Sequence, residues 1–201
     1  MLLAVAIGLA VAGVAYASIP DSSGVIHGCY QKNNGQLRVI DTDKGQTCNA
    51  SENQLTWAGQ PPAVRATNLT GQSIPNATAT NLTFPTETFD TTGTMHSTSS
   101  NTDQLVAPLS GTYEIVGSVI WAPNSTGTRG LDITVGTDYN TGTQIGETYG
   151  PASASPDFTD QTVSMIWRLN QGDVVTLDAY QGSGSALNAA FARFAMVWLG
   201  S

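Results

Sequence analysis

Residues Gln161 to Gly182 read QTVSMIWRLNQGDVVTLDAYQG, and the reading of this stretch decides the fold. Two apolar runs, VSMIWRL and DVVTLDAY, flank the polar break NQGD. In an extended chain successive side chains point to opposite faces. Val163, Met165, Trp167 and Leu169 then share one face, with Ser164, Ile166 and Arg168 on the other. On the return run Val175 and Leu177 oppose Thr176 and Asp178, and Gly172 supplies the turn. The stretch predicts a β-hairpin.

The same texture extends over residues 63–201. Thr, Ser, Asn and Gly dominate, and no amphipathic helical period of useful length appears. Candidate strands are NLTFPTETF, LVAPL, GTYEIVGSVIWA, RGLDITVGT, QIGETY, the two runs above and FARFAMVWLG. Turn clusters such as PNSTGTRG, DYNTGT and QGSGSA separate them. Many short strands between Gly/Asn turns predict an all-β sandwich, jelly roll or barrel.

Composition bounds the partners. The 201 residues carry 7 basic and 15 acidic side chains, a formal net charge of −8. Such a chain repels phosphate backbones, so no nucleic-acid partner is expected. With 40% hydrophobic and 11% charged residues, it has enough apolar content for a core.

Residues 1–17, MLLAVAIGLAVAGVAYA, are uncharged and close on Ala15-Tyr16-Ala17, the small-x-small pattern of a signal peptidase site. They predict a cleaved export leader. A retained helix would need about 20 apolar residues, and this run is at the short limit. The expected location is extracellular, in solution or at the cell surface, with no membrane contact after cleavage.

Export bears on Cys29 and Cys48, the only two cysteines. Outside the cytoplasm such a pair predicts a disulfide. Closing a loop of this size is worth about 3 kcal/mol in the chain-entropy account. His27 adds a third ligand type, but nothing completes a tetrahedral metal site. Residues 18–60 also hold GVIHGCY and GQLRVID around Asn34-Gly35, a strong hairpin signal. A small disulfide-stapled hairpin module is expected, with QLTWA as an optional third strand anchored by Trp57. GQPPA then opens a linker over 61–79, and the main domain occupies 80–201.

The order of SNTDQLVAPLSGTYEIVGSVIW, RGLDITVGT, VSMIWRLNQGDVVTLDAYQGSG and FARFAMVWLG resembles a complement C1q-like domain of the bacterial kind. The elements that carry the likeness are Ala107-Pro108 before Gly111-x-Tyr113, the Leu169-x-x-Gly172-Asp173-x-Val175 turn, and the close on Trp198-Leu199-Gly200. The first part resembles a leader module of secreted actinobacterial proteins, without the Gly-x-y repeats that often follow it there. The resemblance implies a ten-strand, two-sheet jelly roll of the tumour necrosis factor-like type, trimeric, with its first and last strands adjacent. It implies a head that binds a protein or glycan ligand rather than an enzyme. Many such domains hold calcium, but no ligand set maps onto this sequence, and no other cofactor is expected.

The residues give no catalytic constellation. His96 could be set beside Asp103, Asp90 or Ser110, but QGSGSAL lacks the glycine after Ser185 that a nucleophile elbow requires. Asp132, Asp138, Asp157, Asp160, Asp173 and Asp178 could pair for glycoside hydrolysis or gather around Ca²⁺. Most adjoin turns, where a solvated carboxylate is the ordinary reading. Tyr139, Tyr149 and Phe158 in turn-rich stretches keep a carbohydrate-binding or polysaccharide-active β-sandwich as the alternative. Asn-x-Ser/Thr sequons at Asn49, Asn68, Asn76, Asn81 and Asn124 predict exposed segments.

Two strands are apolar on both faces. FARFAMVWLG sets Phe191, Ala195, Val197 and Leu199 against Phe194, Met196 and Trp198, while YEIVGSVIW opposes Tyr113, Ile115, Val119 and Trp121 with Val116 and Ile120. One face fills the core and the other needs cover. Phe194, Met196, Trp198, Val116 and Ile120 are the expected homotrimer interface, unless NLTFPTETF covers that face within the subunit.

Overall fold

The computed structural model describes residues 18–22, 24–154 and 156–201. The expected leader lies outside them. The chain divides into two compact units, one ending at Gly59 and the other spanning Gln60–Ser201.

The first unit is a three-stranded antiparallel sheet of β1 (Val25–Gln31), β2 (Leu37–Ile40) and β3 (Glu52–Ala58), with β1 central. The β1–β2 turn uses Gly35 at φ 72°. The Asn34 side chain accepts from the Gln36 amide at 2.9 Å. Cys29 and Cys48 form a disulfide with Cα atoms 5.5 Å apart. Glu52 is buried and accepts from Arg38 Nη2 at 2.8 Å and from the Asn49 amide at 2.8 Å. QLTWA is thus a full third strand. Trp57, however, is 36% exposed rather than a core anchor. It lies across Gly28, where a Cβ would approach its ring to 2.9 Å.

The second unit holds β4 (Ala63–Asn68), β5 (Gln72–Ile74), β6 (Thr80–Asn81), β7 (Thr86–Asp90), β8 (Gln104–Val106), β9 (Gly111–Trp121), β10 (Thr128–Val135), β11 (Thr143–Pro151), β12 (Thr159–Leu169), β13 (Val174–Gln181) and β14 (Leu187–Gly200). One sheet of six strands runs β12-β9-β14-β4-β7, with β5 also on β14. The other, of five, runs β11-β10-β13-β6, with β8 also on β13.

Two expectations are corrected. The 61–79 segment is no linker, since β4 and β5 lie within it and both pair with β14. Val64 and Ala66 alternate inward from β4 and are fully buried, and the strand is held on both edges. It escapes notice because its other positions are Ala, Arg, Thr and Asn. Nor is the opening stretch a hairpin. β12 pairs with β9, whereas β13 pairs with β10, β6 and β8. The NQGD turn therefore crosses from one sheet to the other. It is pinned where the Ala107 amide donates to Asp173 O at 2.9 Å and the Gly172 amide donates to Ala107 O at 2.8 Å.

The core lies between the sheets. Tyr113, Ile115, Val119 and Trp121 project inward from β9, Leu131 and Ile133 from β10, Leu177 and Ala179 from β13, and Phe194 and Met196 from β14. β9 presents Gly117 in the middle of its inward series. A Cβ there would sit 2.2 Å from Leu177 Cδ1, so the glycine makes room for a leucine of the opposite sheet.

Candidate functional site

The two sheets present chemically different outer faces. On the six-stranded sheet, cross-strand register sets Ile166, Glu114, Val197 and Ala63 in one row and Ser164, Val116, Ala195, Arg65 and Phe89 in the next. The third row is polar, with Thr162, Ser118, Arg193 and Thr67, and the row beyond it holds Asp160, Ile120 and Phe191. Ile166 is 63% exposed and Phe89 45%. Ala63, Phe89, Glu114, Val116, Ala195 and Val197 line a shallow hollow.

Of the expected interface residues, Val116 and Ile120 do lie half-buried on this face. Phe194 and Met196 do not: both are within 1% of complete burial in the core. Phe194 stands in register with Gly117 and contacts Phe84, their ring centroids 5.6 Å apart. Trp198 also packs toward the core, and its Nε1 donates to Ser110 O at 3.3 Å. The inward choice is made by pairing with β9, which neither strand's sequence reveals. NLTFPTETF does not cover the outer face either. Leu82 and Phe84 enter the core, and β7 extends the sheet edge.

The five-stranded sheet is polar outside. Tyr139, Asn140, Tyr149, Tyr180 and Ala77 to Ala79 line a cleft. The Tyr149 hydroxyl donates to Asp132 Oδ2 at 2.8 Å. Burial and this carboxylate together push the phenol well above its usual range. Asp132 stands directly opposite Asp178 in the β10–β13 register, and both are fully buried. They are not the turn-side solvated carboxylates expected from sequence. Burial raises both carboxyls, that of Asp178 to about 6. Phe158 is exposed but lies outside this cleft.

The His96 ring meets none of the partners weighed for it; only its backbone amide donates to Asp90. Its Nδ1 is 3.4 Å from Glu87 Oε2, and its Nε2 is 3.4 Å from Thr102 O. Asp90 instead caps backbone amides from Thr92 to His96, Asp103 accepts from Asn81, and Ser110 accepts from the Gln171 amide. Cys29 and Cys48 lie near Glu52 but are consumed by the disulfide, so they offer no thiolate to a metal. Among the sequons, Asn68 is buried, its Nδ2 donating to Thr83 O at 3.0 Å.

Sequence reading missed Arg129, a fully buried cation. Its guanidinium donates to the carbonyls of Asn124, Thr126 and Thr128 at 2.8–3.1 Å and lies 5.9 Å from the Trp121 ring centroid. It holds the β9–β10 loop closed. Nothing in STGTRGLD distinguishes this arginine from a surface one.

No protein-family model and no curated protein matches the sequence. Solved structures do. Murine APRIL at pH 5.0 overlaps with a TM-score of 0.52 at 13% identity, over 70% of this chain and 100% of that one. Eiger TNF from S. frugiperda overlaps at 0.51 and 9% identity, over 70% and 94%. The globular domain of zebrafish complement 1qA overlaps at 0.48 and 17%, over 69% and 97%. At such identities the first two overlaps establish architecture. The second unit is a two-sheet jelly roll of the tumour necrosis factor-like fold.

Proposed function

We propose that the protein is a secreted, non-catalytic binding head that works as a homotrimer, assembled through the outer face of its six-stranded sheet. One observation carries this reading: β9, β12, β14 and β7 place Val116, Ile120, Ile166, Val197 and Phe89 on a face that the described residues leave half-buried to exposed. Burying side chains of this class is worth roughly 1.5–3 kcal/mol each, so a few per subunit would hold an assembly. A cyclic contact between unlike patches closes without forming fibres. The number three comes from the resemblance to C1q-like domains, and export from the leader and the disulfide. One outward and one inward substitution test the reading together. Val116→Arg gives a folded single chain, and Phe194→Asp gives unfolded protein. A Val116→Arg variant whose mass equals the wild type's would count against this face.

The tyrosine cleft favours a second reading, in which the head binds a glycan. Sugar rings stack on aromatic side chains, and Tyr149 is 45% exposed beside Tyr139 and Tyr180. Glycan-array binding that Tyr180→Ala abolishes would support it.

A further inference from the structure

The tyrosine cleft of the five-stranded sheet combines aromatic walls with uncompensated negative charge. Gly130 stands in register between Tyr149 of β11 and Tyr180 of β13. A Cβ there would strike the Tyr149 ring, so the glycine lets that ring lie over β10. The Tyr149 and Tyr180 ring centroids are 6.1 Å apart, with the planes tilted by 48°. Tyr139 and Asn140 of the β10–β11 turn, with Ala77 and Ala79 ahead of β6, complete a cleft of about 360 Å³. Next to the rings the sheet is acidic. Asp132 stands opposite Glu147 on one side and Asp178 on the other, and Asp178 stands opposite Asn81 of β6. Asp138 adds charge from the β10–β11 turn, and Asp103 accepts from Asn81. Among the described residues no lysine, arginine or histidine forms an ion pair with any of these acids. Asp132 and Asp178 are fully buried, and each has one oxygen without a hydrogen-bond partner. Tyr149 joins wall to charge, since its hydroxyl donates to Asp132 Oδ2 at 2.8 Å. Donation to a carboxylate shifts electron density into the ring, and a richer ring face attracts cations more strongly.

We infer that this cleft binds an organic cation with a quaternary ammonium head of the choline type. Such a head is attracted to ring faces within about 6 Å of their centroids. Two tilted rings with centroids 6.1 Å apart leave positions that satisfy both at once. The hydrogen bonds select the class of cation. A primary ammonium brings three donors that need acceptors. The strongest acceptors, the Asp132 and Asp178 carboxylates, are closed off from solvent, and the Asn140 side chain is bonded to Asp138. A quaternary head has no donor to satisfy. Its methyl groups pack on the rings and on Ala77 and Ala79, while its charge feels the carboxylates through a wall of low dielectric. The inference takes only the aromatic wall from the cleft reading above, and it does not depend on trimer formation.

Choline chloride is the probe, titrated calorimetrically into the secreted protein. It should bind saturably at one ion per chain. Its neutral carbon isostere, with a tert-butyl group in place of trimethylammonium, should bind about tenfold more weakly, because only shape is left. Tyr180→Phe should keep the choline affinity, and Tyr180→Ala should lower it about tenfold. Asp132→Asn keeps an acceptor for the Tyr149 hydroxyl and removes one charge, so it should weaken choline and leave the isostere unchanged. Burial above all raises the Asp178 carboxyl to about 6. Choline does not titrate, so its affinity should fall as pH drops through about 6 and the pair takes up a proton. That arm uses the wild type and decides the matter if the Asp132 variant does not fold. Equal binding of choline and the isostere, or binding of neither, would overturn the cation site. So would a preference for glucosamine, whose protonated amine needs acceptors. Neutral glycans that bind and are lost in Tyr180→Ala, with choline inert, would overturn it while leaving the glycan reading intact.

Discussion

Gly117 shows at the scale of one residue how the sandwich is closed. It lies at an inward position of β9, and its missing side chain is replaced by Leu177 from the facing sheet. Gly117→Ala should destabilise the jelly roll by about 1–3 kcal/mol, the usual cost of overpacking, read as a lower urea midpoint with an unchanged slope. A second residue-scale expectation concerns Glu52. The Arg38 guanidinium, then the Asn49 amide, hold its carboxyl down to about 2 from an ordinary 4.5. A depressed acid contributes stability that is complete above the unfolded value and lost as pH falls through the folded one. Amide protection in β1–β3 should therefore decline between about 4.5 and about 2, and Arg38→Gln should move that decline upward. The inward alternation of Val163 and Leu169, and of Val175 and Leu177, was legible in the sequence, because the period of a strand is local. The burial of Arg129, Asp132 and Asp178 was not. Their positions are polar in sequence, and burial depends on how the chain closes over them: Tyr149 of the neighbouring strand lies on Asp132, and the β9–β10 loop folds its carbonyls onto Arg129.

At the scale of elements, most strands could be read and their partners could not. A polar NQGD turn joins two strands whether they pair or part. Pairing is decided by which neighbour fills each edge, and here β9 and β10 fill them. For the same reason β4, short and half polar, is a strand because β14 and β7 hold its two edges. The first unit depends more on its staple. Its three strands bury few side chains, Cys29 and Ile40 among them. Replacing both cysteines with serine should cost about 2–5 kcal/mol there. Limited proteolysis should then cut within residues 24–58 while residues 60–201 resist. Equal loss of both parts would contradict their independence.

The whole molecule is asymmetric in its chemistry. One sheet shows an apolar outer face centred on Val116 and Ala195, and the other shows tyrosines over buried carboxylates. On the proposed account the first face is turned toward sister subunits and the second remains free to bind. That division would set assembly and recognition on opposite sides of one sandwich. The two-sided apolarity of β9 and β14 predicts that one face needs cover, but sequence alone places Phe194 and Met196 on that face, and the structure turns both into the core. The most direct measurement is the mass of the secreted protein in solution by multi-angle light scattering at micromolar concentration. The account predicts about three times the mass of one chain, whose full sequence weighs 20.9 kDa. A single-chain mass across that range would contradict it.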